Sequence, residues 1–266
     1  MSSPSVAVPD ISNRRAPALG GFNLTVLRLE VRRMLRNRRT LLFTMVLPVL
    51  FFLIFGLNKA YAHDRLANGN ESAFIMVSMA LYGAVLATTS GGAMVSIERA
   101  AGWSRQLRLT PLSPVAYIAI KMLTAMVLGL GSVVVVFVVG RISGVPRMAG
   151  YLWIGLGLSV WVGALVFAAF GLFMGYLLPT ENVMQILSFA LLLFSFGGGL
   201  FIPLSQFAPV LQTIAKYTPL YGLNQLVHAP LIGGSVDPAW AANAVIWLLL
   251  FAGGAVWRFR KDTARV

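Results

Sequence analysis

Six long apolar stretches, at about 41–58, 74–97, 117–140, 151–178, 182–202 and 239–257, alternate with short segments that hold nearly all of the charge. A helix needs roughly 20 apolar residues to cross the hydrocarbon core of a bilayer. Inside that core only helices and closed barrels satisfy their own backbone groups. The runs are continuously hydrophobic and lack the alternation of a membrane barrel strand. The pattern predicts an all-α membrane protein with six transmembrane helices. Its membrane domain spans 22–257, with a disordered tail at 1–21, rich in Ser, Pro and Ala, and a basic tail at 258–266.

Two segments break the simple pattern. From Phe22 onward, Leu24, Leu27, Val31 and Leu35 share one helical face, while Arg28, Arg32, Arg33 and Arg36 occupy the flank and back. This predicts an amphipathic interfacial helix, apolar side in lipid and arginines at the headgroups. The stretch Pro203–Pro238 is apolar enough to suggest a seventh span, yet it carries Lys216, His228 and the internal prolines Pro209, Pro219 and Pro230. A charged side chain at a helix centre costs about 2.5–3.5 kcal/mol on insertion. Short re-entrant helices in the outer leaflet, between spans five and six, are the expectation instead.

Charge then sets the orientation. The first 40 residues, the Glu98–Lys121 segment and the tail from Arg258 hold 16 of the 21 Lys and Arg residues, and the alternate loops hold 5. The positive-inside rule therefore places both ends, and the N-terminal helix, in the cytoplasm of a multi-pass cell-membrane protein. The chain is 58% hydrophobic and 11% charged, against about 25% charged in soluble domains. The net charge of +13 follows bilayer topology, with no aromatic-rich basic groove for nucleic acid. Arginine outnumbers lysine 17 to 4, which with the Ala and Gly content points to a GC-rich bacterial source. No short apolar run with a small-residue cleavage site precedes the first long one, so that run is expected to be retained as a span.

Chemistry is sparse. There is no cysteine, hence no thiolate site. His63 and His228 lie far apart with no partner in sequence, so no metal site is expected. All eight acids fall in tails, loops or span ends, and Glu98 and Glu181 have nothing evident to pair with. No phosphate-cradling GxxxxGK[ST] occurs, so ATP cannot be hydrolysed by P-loop chemistry in this chain. One segment does stand out: Glu98 to Pro114, with Ala100, Trp103 and Leu107 on one face and Arg99, Arg105 and Arg108 around it. Thr110-Pro111 would end that helix, and Ser113 as N-cap with Pro114 behind it would start the next. Gly171-x-x-x-Gly175, Gly155, Gly157 and Gly163 would let helices approach closely.

In order along the chain, four features resemble an ABC-2 type permease, the membrane subunit of ATP-binding cassette exporters. They are the arginine-rich helix leading into a first span with Pro48; the Glu98…Gly102…Arg105-x-Leu107…Thr110-Pro-Leu-Ser-Pro114…Tyr117…Lys121 segment; the Leu178-Pro-Thr-Glu-Asn182 turn; and Gly199-Leu-Phe-Ile-Pro203 followed by Tyr217-Thr-Pro-Leu-Tyr221 and Gly233. The resemblance implies that the helix at 98–109 is a coupling helix inserting into a separate nucleotide-binding subunit, with Glu98, Arg99, Gly102, Trp103, Arg105 and Arg108 at the contact. It implies a connecting helix carrying Arg28, Arg32 and Arg36, a second permease copy or a related one as partner, and no cofactor in this chain, ATP and Mg being held by the partner. The short first loop favours the drug- and antibiotic-exporter-like branch, moving a drug, antibiotic or lipid. Phe194, Phe196 and Phe201 are candidates for an apolar substrate path. The alternative is a membrane-embedded lipid-modifying enzyme, which would need acids or histidines clustered at one interface.

Overall fold

Two asparagines open the first two helices. Asn23 accepts from the Thr25 N–H at 2.7 Å to start α1 (Leu24–Leu35), and Asn37 accepts from the Thr40 N–H at 3.3 Å to start α2 (Arg38–Phe51). The chain bends by 66° between them. Here, as below, the structure is a computed structural model, and it describes residues 18–58, 61, 63–102 and 112–264. Pro48 inside α2 has no N–H for the Thr44 carbonyl. That carbonyl is instead satisfied from outside, by the Ser132 hydroxyl at 3.1 Å. Beyond Phe51 the helix widens into a π turn over Phe52–Gly56.

The remaining helices are α3 (Glu71–Ala93), α4 (Val95–Ala100), α5 (Pro114–Ser143), α6 (Gly150–Gly163), α7 (Leu165–Leu177), α8 (Val183–Gly197), α9 (Pro209–Ala215), α10 (Tyr221–Ile232) and α11 (Pro238–Ala264). Apart from two isolated β-bridges, the π turn and short 3-10 turns, regular structure among the described residues is all α-helical. Ser113 caps α5, accepting from the Ala116 N–H at 3.2 Å with Pro114 in the first turn, as its sequence predicts. The 3-10 turn at Ala18–Gly21 docks on this start, the Ser113 N–H donating to the Gly20 carbonyl at 2.7 Å.

Four helices, two of them continuous pairs, are long and apolar enough to cross a membrane: Glu71–Ala100, Pro114–Ser143, Gly150–Leu177 and Pro238–Lys261. The bent pair of α1 and α2 gives a fifth candidate, and α8 is a shorter apolar helix. The run expected at 182–202 stops as helix at Gly197, because Gly197-Gly198-Gly199 follows and Gly199 takes φ +75°. Within 203–238 the chain forms a 3-10 turn at Leu204–Gln206 and the short helices α9 and α10, Gly233 ending α10 at φ +72°.

The α3 helix sits at the centre, most of its residues buried, and packs chiefly against α5 and α7. Its crossing with α7 brings backbones together. A Cβ on Gly171 would lie 2.1 Å from the Thr89 carbonyl oxygen, and one on Gly92 would lie 2.6 Å from that of Ala168. The Gly171-x-x-x-Gly175 pair therefore serves packing within the chain. By contrast, Phe43, Ile54, Ile154, Phe189 and Leu249 stand exposed around the outside. An apolar shell of this extent has no counterpart on water-soluble monomers and matches a lipid solvent.

Candidate functional site

At one end of the bundle, α4, the second half of α1 and the start of α5 carry opposite charges that find one another. Glu98 on α4 is buried; its Oε1 receives the Lys121 ammonium at 2.6 Å and the Arg33 guanidinium, and its Oε2 accepts from the Tyr117 hydroxyl at 2.7 Å. Lys121 is only 4% exposed and also donates to Glu30 at 2.7 Å, while Arg33 reaches Glu30 at 3.1 Å. Two acids and two bases thus form a closed quartet across α1, α4 and α5. A buried lysine is tolerable only when paired and hydrogen-bonded in this way. Tyr117 extends the contact by stacking on Phe259 of α11 at 5.3 Å, and Phe259 meets Tyr176 of α7 edge-on at 5.7 Å.

Arg99, next to Glu98, turns toward α7. It donates to the carbonyls of Gly175 and Tyr176 at 3.2 and 2.7 Å, satisfying acceptors that every helix end leaves open. Thr180, in the turn after α7, donates to the Ser96 carbonyl at 2.9 Å and ties that turn to α4. Gly102 takes φ +76°, the left-handed conformation that stops α4, and a Cβ there would meet nothing within 4 Å.

Of the residues expected at a partner contact, Glu98 and Arg99 are therefore engaged within the chain, and Gly102 lies at the boundary. Trp103, Arg105 and Arg108 lie outside the described residues. Arg28, Arg32 and Arg36 are exposed on α1. That helix also packs on the bundle with part of the face expected to lie in lipid. Leu27, Glu30, Val31 and Met34 turn inward, whereas Leu24 and Leu35 stay exposed, because Glu30 is drawn to Lys121 and Met34 fits against Ala87 and Leu128. The expectation that Glu98 has no partner fails for the same reason.

At the opposite end Asn70 acts as a clasp. Its Oδ1 accepts from the Ala73 N–H at 3.0 Å, capping α3, and from the Arg147 N–H at 2.9 Å, while its Nδ2 donates to the Val145 carbonyl at 2.9 Å. Asn68 fastens the same strand of chain to the end of α10, its N–H and Nδ2 donating to Leu231 and Pro230 at 3.0 and 2.8 Å.

Beside this clasp lies a cavity of about 770 Å³, walled by α2, the π turn, α3, α8, the 199–204 segment and α10. Its size falls in the ordinary range for small-molecule sites. Phe196 and Phe201 line it, their rings 5.3 Å apart, and the Tyr82 ring lies tilted against Phe201 at 5.1 Å. Phe194 does not; it packs against Phe167 and Phe170 in the core. His228, which the sequence leaves without a partner, is bonded on both sides: Nδ1 to the Asn224 carbonyl at 2.8 Å and Nε2 to the Ser78 hydroxyl at 3.0 Å. With the proton on Nδ1, Nε2 accepts from Ser78.

Sequence reasoning missed the quartet, the Asn70 clasp and the polar wall at Ser78, Asn224 and His228. One signal was available for the first: Lys121 opens an otherwise uncharged run, where a lysine needs a counter-charge. The profile of the family described as ABC-2 type transporter matches residues 23–230. A protein of Bacillus subtilis (strain 168) named "Putative transport permease YvfS" is 28% identical over 227 residues, which cover 84% of this chain and 90% of that protein.

Proposed function

The chain belongs to the ABC-2 type transporter family, and from that premise we propose that it is the permease subunit of an ATP-binding cassette exporter whose ATP is hydrolysed by a separate nucleotide-binding subunit. The charge quartet is the observation that carries this reading. It fuses α1, α4 and α5 into one block immediately before the 103–111 segment. A push delivered to that segment reaches the spans as rigid-body motion, because a packed, ion-paired joint has few soft degrees of freedom. In this reading Trp103, Arg105 and Arg108 contact the ATPase, and Gly102 supplies the turn that presents them. Glu98 and Arg99 brace the segment from behind. Exposed Arg28, Arg32 and Arg36 face the partner or anionic headgroups.

The topology proposed is six spans, with α2 and α8 as the first and fifth, α9 and α10 re-entrant from the outer leaflet, and both termini cytoplasmic. The cavity lined by Phe196 and Phe201 belongs to the translocation path for a hydrophobic or amphipathic molecule. It opens beside Phe55, Leu192 and Phe196, which are exposed on α8 and the π turn, and a second permease copy would close that side. The test is coupling. Trp103→Ala, or charge reversal at Arg105 or Arg108, is expected to cut substrate-stimulated ATPase activity of the reconstituted complex by tenfold or more (about 1.4 kcal/mol of lost coupling), with membrane insertion intact. Unchanged stimulation in all three variants would remove the 103–111 segment as the coupling element.

A further inference from the structure

Glu30 is the one acid in the sequence between Asp10 and Asp64. It is turned into the bundle, where Lys121 and Arg33 hold it. The reverse of α1 is left to cations. Arg28, Arg32 and Arg36 stand exposed at four-residue steps, the last as the C-cap, and among the described residues no acid pairs with any of them. Side chains at that spacing line up along one face about 6 Å apart, where like charges destabilise the helix that carries them. The negative end of the helix suits Arg32 and Arg36. It leaves Arg28, two turns back, without an explanation.

What adjoins this stripe identifies its partner. Arg36 caps the end of α1 and Asn37 caps the start of α2, so no loop separates the two helices. Both lean on α5, and Met34 and Leu41 meet in one cluster with Ala87 and Leu128. From its second turn the outward face of α2 is apolar, with Leu42, Phe43, Val46 and Leu50 exposed. Leu35, exposed one turn from Arg32, links the two faces. A row of guanidinium groups thus passes directly into a row of hydrocarbon, the order in which a phospholipid presents phosphate and acyl chain. A water-soluble protein can offer acids to the arginines but cannot follow them onto a face that stands in lipid. We infer that the outward side of α1 and α2 seats an anionic phospholipid of the inner leaflet, its phosphate on Arg28, Arg32 and Arg36 and a chain along Leu35, Leu42 and Phe43. A zwitterionic headgroup brings its own cation, which finds no carboxylate on this side. The seated lipid also pins α1 in place, since Glu30 and Arg33 of the same helix close the quartet from within. This rests on the reading of α2 as a span, and it narrows the role proposed for the three arginines to headgroup binding.

The experiment uses the purified permease in nanodiscs of equimolar phosphatidylcholine and phosphatidylglycerol, with the lipids it retains on release counted by native mass spectrometry. The wild type is expected to keep phosphatidylglycerol over phosphatidylcholine by about tenfold, the scale of a few juxtamembrane basic residues. Arg28→Gln, Arg32→Gln and Arg36→Gln together should bring the ratio to about one, whereas Lys at the same three positions should hold most of the preference. Should the triple Gln variant fail to insert, Arg32→Gln alone should lower the ratio about threefold. Equal retention of the two lipids by the wild type, a preference untouched by the Gln variants, or one lost to the same degree in Arg258→Gln/Arg260→Gln overturns the inference. So does a triple Gln variant that keeps its lipid preference but loses binding of the ATPase subunit in phosphatidylcholine discs, which would give the stripe to that partner. A bimane label on Leu42→Cys separates the lipid seat from the span. Water-like emission there would refute α2 as a span, and the seat with it; apolar emission without lipid preference would refute the seat and leave the span.

Discussion

Lys121 illustrates how a single side chain can bind several helices. Its ammonium sits between Glu98 and Glu30 with almost no access to solvent, so its removal strands two carboxylates beside Arg33 alone. Breaking a buried pair from one side costs about 3–5 kcal/mol. Lys121→Met is therefore expected to lower the thermal unfolding midpoint of the purified protein strongly, and adding Glu98→Gln in the same chain should restore part of the loss. A single variant as stable as the wild type would mean that the quartet is solvated and adds little. Asn70 is a second such residue: Asn70→Ala removes a helix cap worth about 1 kcal/mol together with the bonds to Val145 and Arg147. Faster hydrogen exchange at the Ala73 amide and quicker proteolysis of the link between α5 and α6 are the expected outcomes.

Among the elements, the crossing of α3 and α7 is the least tolerant of added volume. Gly171→Val would drive a side chain into the Thr89 backbone, and overpacking of this kind costs about 1–3 kcal/mol or more. Its monodisperse yield on size exclusion should fall sharply. Gly155→Ala, where an added Cβ meets nothing within 4 Å, should match the wild type. The GxxxG spacing was visible in the sequence, but its partner was not, since Thr89 and Gly92 belong to a helix some 80 residues earlier and no periodicity links them. The same holds for the quartet. Arg33, Glu98 and Lys121 come together only after three elements fold, and counted along the chain they look like unrelated loop charges. Some local signals have counterparts in the structure: the Ser113-Pro114 start of α5, helices within the apolar runs of α3, α5 and α11, and a helix at Leu24–Leu35, whereas the run at 182–202 ends as helix at Gly197. That Glu30 and Met34 of this first helix pack inward was not legible, because their partners Lys121, Ala87 and Leu128 lie far along the chain.

For the molecule as a whole, the decisive question is which ends share a side of the membrane. The chain has no cysteine, so single introduced cysteines report without further changes. Arg36→Cys and Arg260→Cys should be labelled only after cells are permeabilised, and Asn68→Cys from the intact cell surface. Surface labelling at position 260 would turn α9 and α10 into a full crossing and remove the six-span topology. The quartet has one more consequence at this scale. Two carboxylates, one ammonium and one guanidinium add to zero, so the quartet itself exchanges no energy with a transmembrane voltage, where each unpaired charge would exchange about 2.3 kcal/mol per 100 mV.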